Sequence, residues 1–160
     1  MADPKPTRGR APGQTALRTC LWLLLGGWFG SYLFFGAVVA PTAFAVLPSI
    51  ELAGKLIGPV LTKLHLYGAL AGIALALVSK SIGRGPLMVA APIALSALCL
   101  YSHFGVSAQL NEIRDLSFGP DGAAELAARF GALHRISLSI FIGIGIAVTA
   151  LIGLHARADS

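Results

Sequence analysis

Long apolar stretches alternate along the chain with short segments that carry the charged residues. Four stretches without Asp, Glu, Lys or Arg extend over residues 19–50, 64–79, 85–111 and 136–156. An α-helix rises about 1.5 Å per residue, so about 20 residues cross the ~30 Å hydrocarbon core of a bilayer. With its flanking residues, each stretch reaches that length. The pattern therefore predicts an all-α protein that forms a four-helix transmembrane bundle.

Charges and prolines set the boundaries of the predicted spans. The spans are expected at residues 17–39, 60–79, 86–107 and 136–154. Pro41 should kink or end the first helix, because proline lacks a backbone N–H and its ring collides with the preceding turn. Pro86 suits the first turn of the third helix. We expect residues 49–63 to form a short interfacial helix that leads into the second span after Pro59.

The segments outside the spans complete the predicted organisation. Residues 1–16 contain three prolines and three basic residues among few apolar side chains. Such a segment cannot bury enough surface to offset the entropy lost on ordering. We therefore predict a disordered basic tail at residues 1–16, one membrane domain at residues 17–156 and a short tail at residues 157–160.

Composition places the chain among membrane proteins. Hydrophobic residues make up 56% of it and charged residues 12%, against roughly 25% charged residues in ordinary soluble domains. The expected partner is therefore the lipid bilayer. The net charge is +5, but the basic residues are scattered at the ends of apolar stretches, so no nucleic-acid partner is expected. Cys20 and Cys99 lie apart within apolar stretches, which is typical of packing residues.

The distribution of Lys and Arg predicts the orientation. Counted by the predicted spans, seven of these residues belong to segments on the side of the termini and five to segments on the other side. Cytoplasmic segments of membrane proteins carry the excess of basic residues. We therefore expect both termini in the cytoplasm and a multi-pass location in a bacterial inner membrane.

Three histidines fall in the half of the predicted bundle nearest the outer face. With a rise of about 1.5 Å per residue, His134 lies at the predicted surface, His103 a short distance inside and His65 roughly 10 Å inside. Lys63 and Arg135 border the same end. Ionisable groups at membrane depth tend to face the bundle interior or a wet cavity.

This arrangement has two interpretations. In one, the imidazoles line a polar pocket as metal or haem ligands or as proton carriers. In the other, each histidine bonds a neighbouring helix, as single polar residues in spans often do. The sequence has no His-x-x-x-His, Glu-x-x-His or Cys-x-x-Cys pattern, so His65, His103 and His134 give only a weak metal signal. It leaves the cofactor undetermined.

Small residues recur at helical spacing in the first two spans. Gly26 and Gly30 form a small-xxx-small pair, and Gly68 and Gly72 share one helix face with His65. Such faces allow another backbone to approach closely. They indicate packing against a neighbouring span, and they are also candidate contacts for a homo-oligomer.

Three segments resemble parts of a known family. They are residues 35–44 (FGAVVAPTAF), the pair Ala53-Gly54 with a helix running to His65, and residues 129–137 (RFGALHRIS). Together they resemble the transmembrane-protein-205-like family, a group of small bacterial and eukaryotic membrane proteins. The most specific match is a Phe-x-x-x-His-x-x-Ser pattern at Phe130, His134 and Ser137. The resemblance spans residues 17–154, implies about four hydrophobic segments with no settled activity, and adds Ser137 to the candidate cluster.

The sequence thus predicts a membrane protein with a binding or assembly role and a polar cluster near its outer face. The candidate residues are His65, His134, Ser137, His103, Lys63 and Arg135. A metal- or haem-handling protein and a small oligomeric transporter are the alternatives. Gly143-Ile-Gly145 lies within an apolar span, and Ser137 and Ser139 lack the context of a hydrolase nucleophile. Catalysis is therefore the least favoured reading.

Overall fold

The computed structural model of this 160-residue chain describes residues 12–117 and 124–160. All regular structure in these residues is helical, and four helices are long and apolar enough to cross a membrane. The predicted all-α, four-helix transmembrane fold is therefore confirmed. Of the predicted disordered tail, residues 1–11 lie outside the described part, whereas residues 12–16 belong to the first helix.

Six α-helices and two π-helical segments build the four spans in the described residues. The first span joins α1, a first π segment and α2; α3 forms the second; α4, a second π segment and α5 form the third; α6 forms the fourth. The bounds are α1 Pro12–Phe34, first π segment Phe35–Val39, α2 Ala40–Val46, α3 Ile50–Ser81, α4 Pro86–Tyr101, second π segment Ser102–Ser107, α5 Ala108–Ser117 and α6 Ala124–Asp159. Each predicted span lies within one of these units.

The first π segment ends at Val39, two residues before Pro41. The backbone N–H of Ala40 donates to the carbonyl oxygen of Phe35, five residues earlier. In a regular α-helix the Pro41 ring would collide with the carbonyl group of Ala37. The wider π turn relieves that collision, so the helix passes through Pro41 and continues to Val46.

The first span ends at the next proline. Leu47 is extended, with φ −78° and ψ 142°, which is the conformation that a following proline such as Pro48 favours. Ser49 then caps α3, because its Oγ accepts a hydrogen bond from the Leu52 N–H at 3.2 Å. A short turn therefore separates the first two spans.

The second span is one helix of 32 residues, Ile50–Ser81, which contains Pro59. The prediction of a separate interfacial helix before Pro59 was wrong. Pro59 is exposed, so the missing N–H and the displaced carbonyl fall on the outer face of the helix, where they disturb no core contact. As a result, Gly54, Gly58 and His65 all lie on the same continuous helix.

A basic turn joins α3 to α4. Gly83 has φ +73°, a conformation that glycine adopts without steric cost. The Arg84 N–H donates to the Ser79 carbonyl at 2.9 Å and the Gly83 N–H to the Lys80 carbonyl at 3.1 Å. These two bonds form a Schellman motif, which ends α3. Pro86 then opens α4, as the sequence predicts.

The bundle is apolar both inside and outside. Trp28, Leu75 and Ile144 are fully buried in the core. Leu23 and Ile146, by contrast, are 71% and 66% exposed, and many other large apolar side chains share that outer surface. Soluble monomers rarely expose apolar patches of such extent. Lipid is therefore the medium in which this bundle is stable.

Gly68 and Gly72 bring α1 and α4 onto the backbone of α3. A Cβ at Gly68 would lie 2.9 Å from Trp28 Nε1 and 3.1 Å from Cys99 Sγ. A Cβ at Gly72 would lie 2.8 Å from the Pro92 carbonyl oxygen. These two glycines therefore pack against neighbouring spans of the same chain.

Gly26 and Gly30 differ from this pair. A Cβ added at either glycine would meet no atom within 4 Å. Of the four glycines considered for an oligomer, these two alone leave open space at the bundle surface, and an oligomeric contact through them stays a prediction.

A cluster of ion pairs joins the ends of three helices. The Asp159 carboxylate on α6 pairs with Arg18 on α1 and, at 2.5 Å, with Arg84 in the turn between α3 and α4. Trp22 Nε1 also donates to Asp159 at 3.2 Å. The start of α1 and the end of α6 therefore lie at one end of the bundle, named here the terminal end. The opposite end is the distal end.

Replacing Gly72 by alanine should destabilise the bundle. The Pro92 carbonyl that the new methyl group would strike belongs to the backbone, so we expect a loss of about 1–3 kcal/mol. Gly26→Ala is the matched control, and it should be neutral or slightly stabilising because alanine favours helix. Thermal unfolding in detergent, followed by circular dichroism, measures both. Equal stability of the two variants would contradict the packing role of Gly72.

Replacing Asp159 by asparagine should separate the terminal ends of the helices. The variant leaves two guanidinium groups without their shared counter-charge, and the Arg84 side chain is only 7% exposed. We expect a loss of about 1–3 kcal/mol. Glu51→Gln breaks the exposed Lys55–Glu51 pair and should change stability by no more than about 0.5 kcal/mol. The same unfolding assay compares them, and a silent Asp159→Asn would refute the structural role.

Candidate functional site

A cavity of about 660 Å³ lies at the distal end of the bundle. All four spans contribute to its wall, from the first π segment and α2, the first half of α3, the end of the third span and the start of α6. Ligand sites in proteins usually have volumes of roughly 300–1,000 Å³. The cavity is thus large enough for a small organic molecule.

The wall of the cavity is amphipathic. Most of its side chains are apolar, among them Phe35, Phe44, Ile57, Leu61 and Phe141. The polar lining groups come mainly from the third span and the start of α6; they are Thr62, Ser107, Asn111, Arg114, His134 and Ser137. A molecule that fills this space would meet a mainly apolar wall with a few polar side chains.

The polar groups of the third span share one helix face. Ser107, Asn111 and Arg114 recur at intervals of four and three residues, so they lie one above the other. Ser107 belongs to the second π segment, which ends where the cavity wall begins. Single-turn π segments in proteins often occur at functional sites.

The Arg114 guanidinium lies against the backbone of α3. A Cβ at Gly58 would come within 2.9 Å of Arg114 Cζ and 3.0 Å of its Nη1. Only glycine leaves room for this approach. Arg114 also interacts elsewhere within the protein. Among the described residues that line the cavity, it is the one charged side chain.

Two residues of the predicted cluster line the cavity. Ser137 is buried in its wall, and His134 is exposed at its edge. The His134 ring is nearly parallel to that of Phe130, with ring centroids 6.3 Å apart and an interplanar angle of 8°. Phe130, His134 and Ser137, the three positions of the Phe-x-x-x-His-x-x-Ser pattern, therefore all face the same space.

His65 and His103 lie next to the cavity but not in its lining. His103 Nδ1 donates to the Thr62 carbonyl oxygen at 3.1 Å, which ties α3 to the second π segment. His65 is fully buried, and its ring stands edge-on to Tyr32. Neither ring nitrogen of His65 has a hydrogen-bond partner among the described residues. The Leu61 carbonyl one turn earlier interacts with the ring without reaching hydrogen-bonding geometry.

Lys63 and Arg135 are exposed and do not line the cavity. The six predicted residues thus separate into three pairs: His134 and Ser137 in the cavity wall, the buried His65 and the half-buried His103 beside it, and Lys63 and Arg135 at the surface. Across residues 12–117 and 124–160, no group of three His, Cys, Asp or Glu side chains is placed to hold a metal ion. The weak prediction of a metal site at His65, His103 and His134 therefore gains no support.

A groove adjoins the cavity along the seam between the first span and α6. Its volume is about 390 Å³, and Gly36, Phe141 and Ile142 line both spaces. From there it extends to Phe29 on α1 and Thr149 on α6. An apolar groove on the outer surface of the bundle therefore adjoins the cavity.

Sequence reasoning did not identify Asn111, Arg114 and Thr62 as part of the site. Arg114 lies beyond residues 86–107, the predicted third span. The available signal was the spacing of Ser107, Asn111 and Arg114 on one face of an otherwise apolar helix. The Arg114 guanidinium also needs the space left by Gly58 on a different helix, which the spacing alone does not show.

Comparison with known proteins gives one family. A sequence profile described as a domain of unknown function (DUF4149) matches residues 23–117, which is more than half of the chain. The match begins in α1 and ends with α5, so it includes the first three spans. No curated protein and no solved structure matches the chain.

Replacing His65 by leucine should preserve stability. Within residues 12–117 and 124–160 the ring nitrogens have no hydrogen-bond partner, so leucine keeps most of the buried volume and removes two desolvated polar atoms. We expect a change within about 1 kcal/mol for His65→Leu and a loss of about 2–4 kcal/mol for His65→Ala, which leaves a void. Thermal unfolding distinguishes them. If leucine destabilises as much as alanine, the ring nitrogens themselves make a stabilising interaction.

Proposed function

This chain belongs to the DUF4149 family, a domain of unknown function, and we propose that it is an integral membrane protein that binds an amphipathic small molecule in its distal cavity. The observation that carries the proposal is the cavity of about 660 Å³, whose mainly apolar wall also carries six polar side chains. Binding sites for small molecules combine mainly apolar linings with a few placed polar groups.

Each set of lining residues has a part in this binding. Phe35, Phe44 and Phe141 supply apolar contact area, and aromatic side chains give large contacts with little rotamer freedom. Asn111, Arg114 and Ser137 supply donors and acceptors that orient the polar part of the ligand. His134 at the edge of the cavity can donate or accept a hydrogen bond, depending on its tautomer.

The proposal also includes the orientation of the protein in the membrane and its relationship to a wider family. The excess of Lys and Arg on the terminal side supports cytoplasmic termini, and the distal cavity then opens outside a bacterial inner membrane. The resemblance of residues 35–44 and 129–137 supports a relationship to the transmembrane-protein-205-like proteins. Metal or haem binding and transport, the alternatives from the sequence, are supported by no specific contact in the described residues.

Filling the cavity should abolish binding. Gly54 lines the cavity, and a Cβ there meets no atom within 4 Å, so Gly54→Leu occupies the space without displacing the wall. We expect the wild-type protein in lipid nanodiscs to immobilise spin-labelled methyl stearate, a neutral amphiphile, and Gly54→Leu to lose most of the immobilised signal. Electron paramagnetic resonance measures that fraction.

The control for this experiment is Gly26→Leu, which adds the same side chain to a helix surface that lines neither the cavity nor the groove. It should bind like the wild-type protein. A wild-type protein that immobilises no more label than empty nanodiscs would reject the proposed function, as would equal binding by Gly54→Leu.

A further inference from the structure

The cavity and the groove adjoin, because Gly36, Phe141 and Ile142 line both. Gly36 packs closely against Phe141 at this junction, where a Cβ would lie 3.3 Å from Phe141 Cε1. The groove follows residues 29–37 of the first span and residues 141–149 of α6. At about 1.5 Å per residue, that is roughly 12 Å along the bundle axis.

The two parts of this space differ in chemistry. The groove has an apolar wall, in which Tyr32 and Thr149 carry the only hydroxyl groups among the described lining residues. Leu33 and Ile146 are exposed along its rim, so it faces hydrocarbon in the membrane. The cavity carries Arg114 and the other polar groups. A charged part therefore suits the cavity, and a hydrocarbon chain suits the groove.

The charge of the cavity selects the sign of the ligand. Arg114 is the one charged side chain in the described lining, and the imidazole ring of His134 is a further lining group with ring nitrogens. A guanidinium has five N–H donors, so Arg114 can bind a ligand while keeping another contact within the protein. Arginine binds carboxylates through two parallel hydrogen bonds, which are charge-assisted. Asn111 lies on the same helix face and can donate to the same group.

We propose that the ligand is a single-chain lipid with a carboxylate head, a fatty-acid-like molecule, which enters sideways from the bilayer. Its carboxylate binds Arg114 in the cavity, and its acyl chain passes Gly36 and lies in the groove between α1 and α6. This inference rests on the proposed function and specifies the class of ligand. The Arg114 guanidinium can bind one carboxylate head group, and the groove holds one acyl chain in this proposal.

A comparison of two labelled amphiphiles tests the head group. Spin-labelled stearate and its methyl ester have the same chain and differ in charge. In nanodiscs, at a pH where stearate is ionised, the wild-type protein should bind stearate more tightly by on the order of tenfold, which is the effect of a charge-assisted pair. Arg114→Gln should abolish this preference. Arg135→Gln, an exposed arginine outside the lining, should keep it.

A pair of glycine variants tests the groove. Gly145 lines the groove, whereas Gly143 on the same helix is exposed and lines neither space. A Cβ at either position meets no atom within 4 Å, so neither variant forces the core apart. Gly145→Leu should weaken binding of both labels by on the order of tenfold, as expected when a chain loses its apolar contacts. Gly143→Leu should bind both as the wild-type protein does.

The outcomes separate the two proposals. Equal binding of stearate and its ester by the wild-type protein would overturn the carboxylate inference and leave the proposed function standing. Unchanged binding by Gly145→Leu would overturn the groove as the chain site. A two-chain phospholipid recovered from the purified protein by solvent extraction, and displaced by neither label, would overturn the single-chain ligand. If Arg114→Gln does not fold, the wild-type preference and the glycine pair still decide the inference.

Discussion

The close contact of α1 and α4 with the backbone of α3 at Gly68 and Gly72 is the constraint on which the rest of the structure depends. Lipid tails are as apolar as leucine, so helices in a bilayer associate through close packing and hydrogen bonds rather than by escaping water. Here the Trp28 indole rests on α3, and Ser96 Oγ donates to the Ala69 carbonyl at 2.9 Å. A larger residue at Gly72 would meet both Trp28 and Ser96, and one at Gly68 would meet Trp28.

This central contact separates two polar regions with different roles. At the terminal end, Asp159 joins Arg18 and Arg84 in a compact cluster of ion pairs. At the distal end the helices enclose the cavity, and each π segment contributes to its wall, through Phe35 and Gly36 in one and Ser107 in the other. A π turn changes the direction in which the following residues point. Both segments therefore help to set the shape of the cavity. The first also lets the helix pass through Pro41.

Hydrophobic pattern and proline chemistry were sufficient for the helical class, the number of spans and the start of α4 at Pro86, because these depend on local sequence and on the thickness of the bilayer. The packing of the Gly68 and Gly72 face followed from helical spacing. The continuity of α3 through Pro59 did not, since it depends on which face of the helix the proline occupies.

Arg114 and Lys63 are both charges at a span end in the sequence, yet only Arg114 lines the cavity. Its guanidinium lies in the space that Gly58 leaves on α3. The ion pairs of Asp159 likewise join residues from three distant parts of the chain.

The groove between α1 and α6 opens toward hydrocarbon rather than toward water. A hydrophobic molecule in such a groove exchanges with the surrounding lipid phase, so its occupancy follows its mole fraction among the lipids and not its aqueous concentration. Detergent that dilutes the lipid phase would empty the groove even at constant total ligand. For a ligand bound in such a groove, membrane composition itself would control the occupancy.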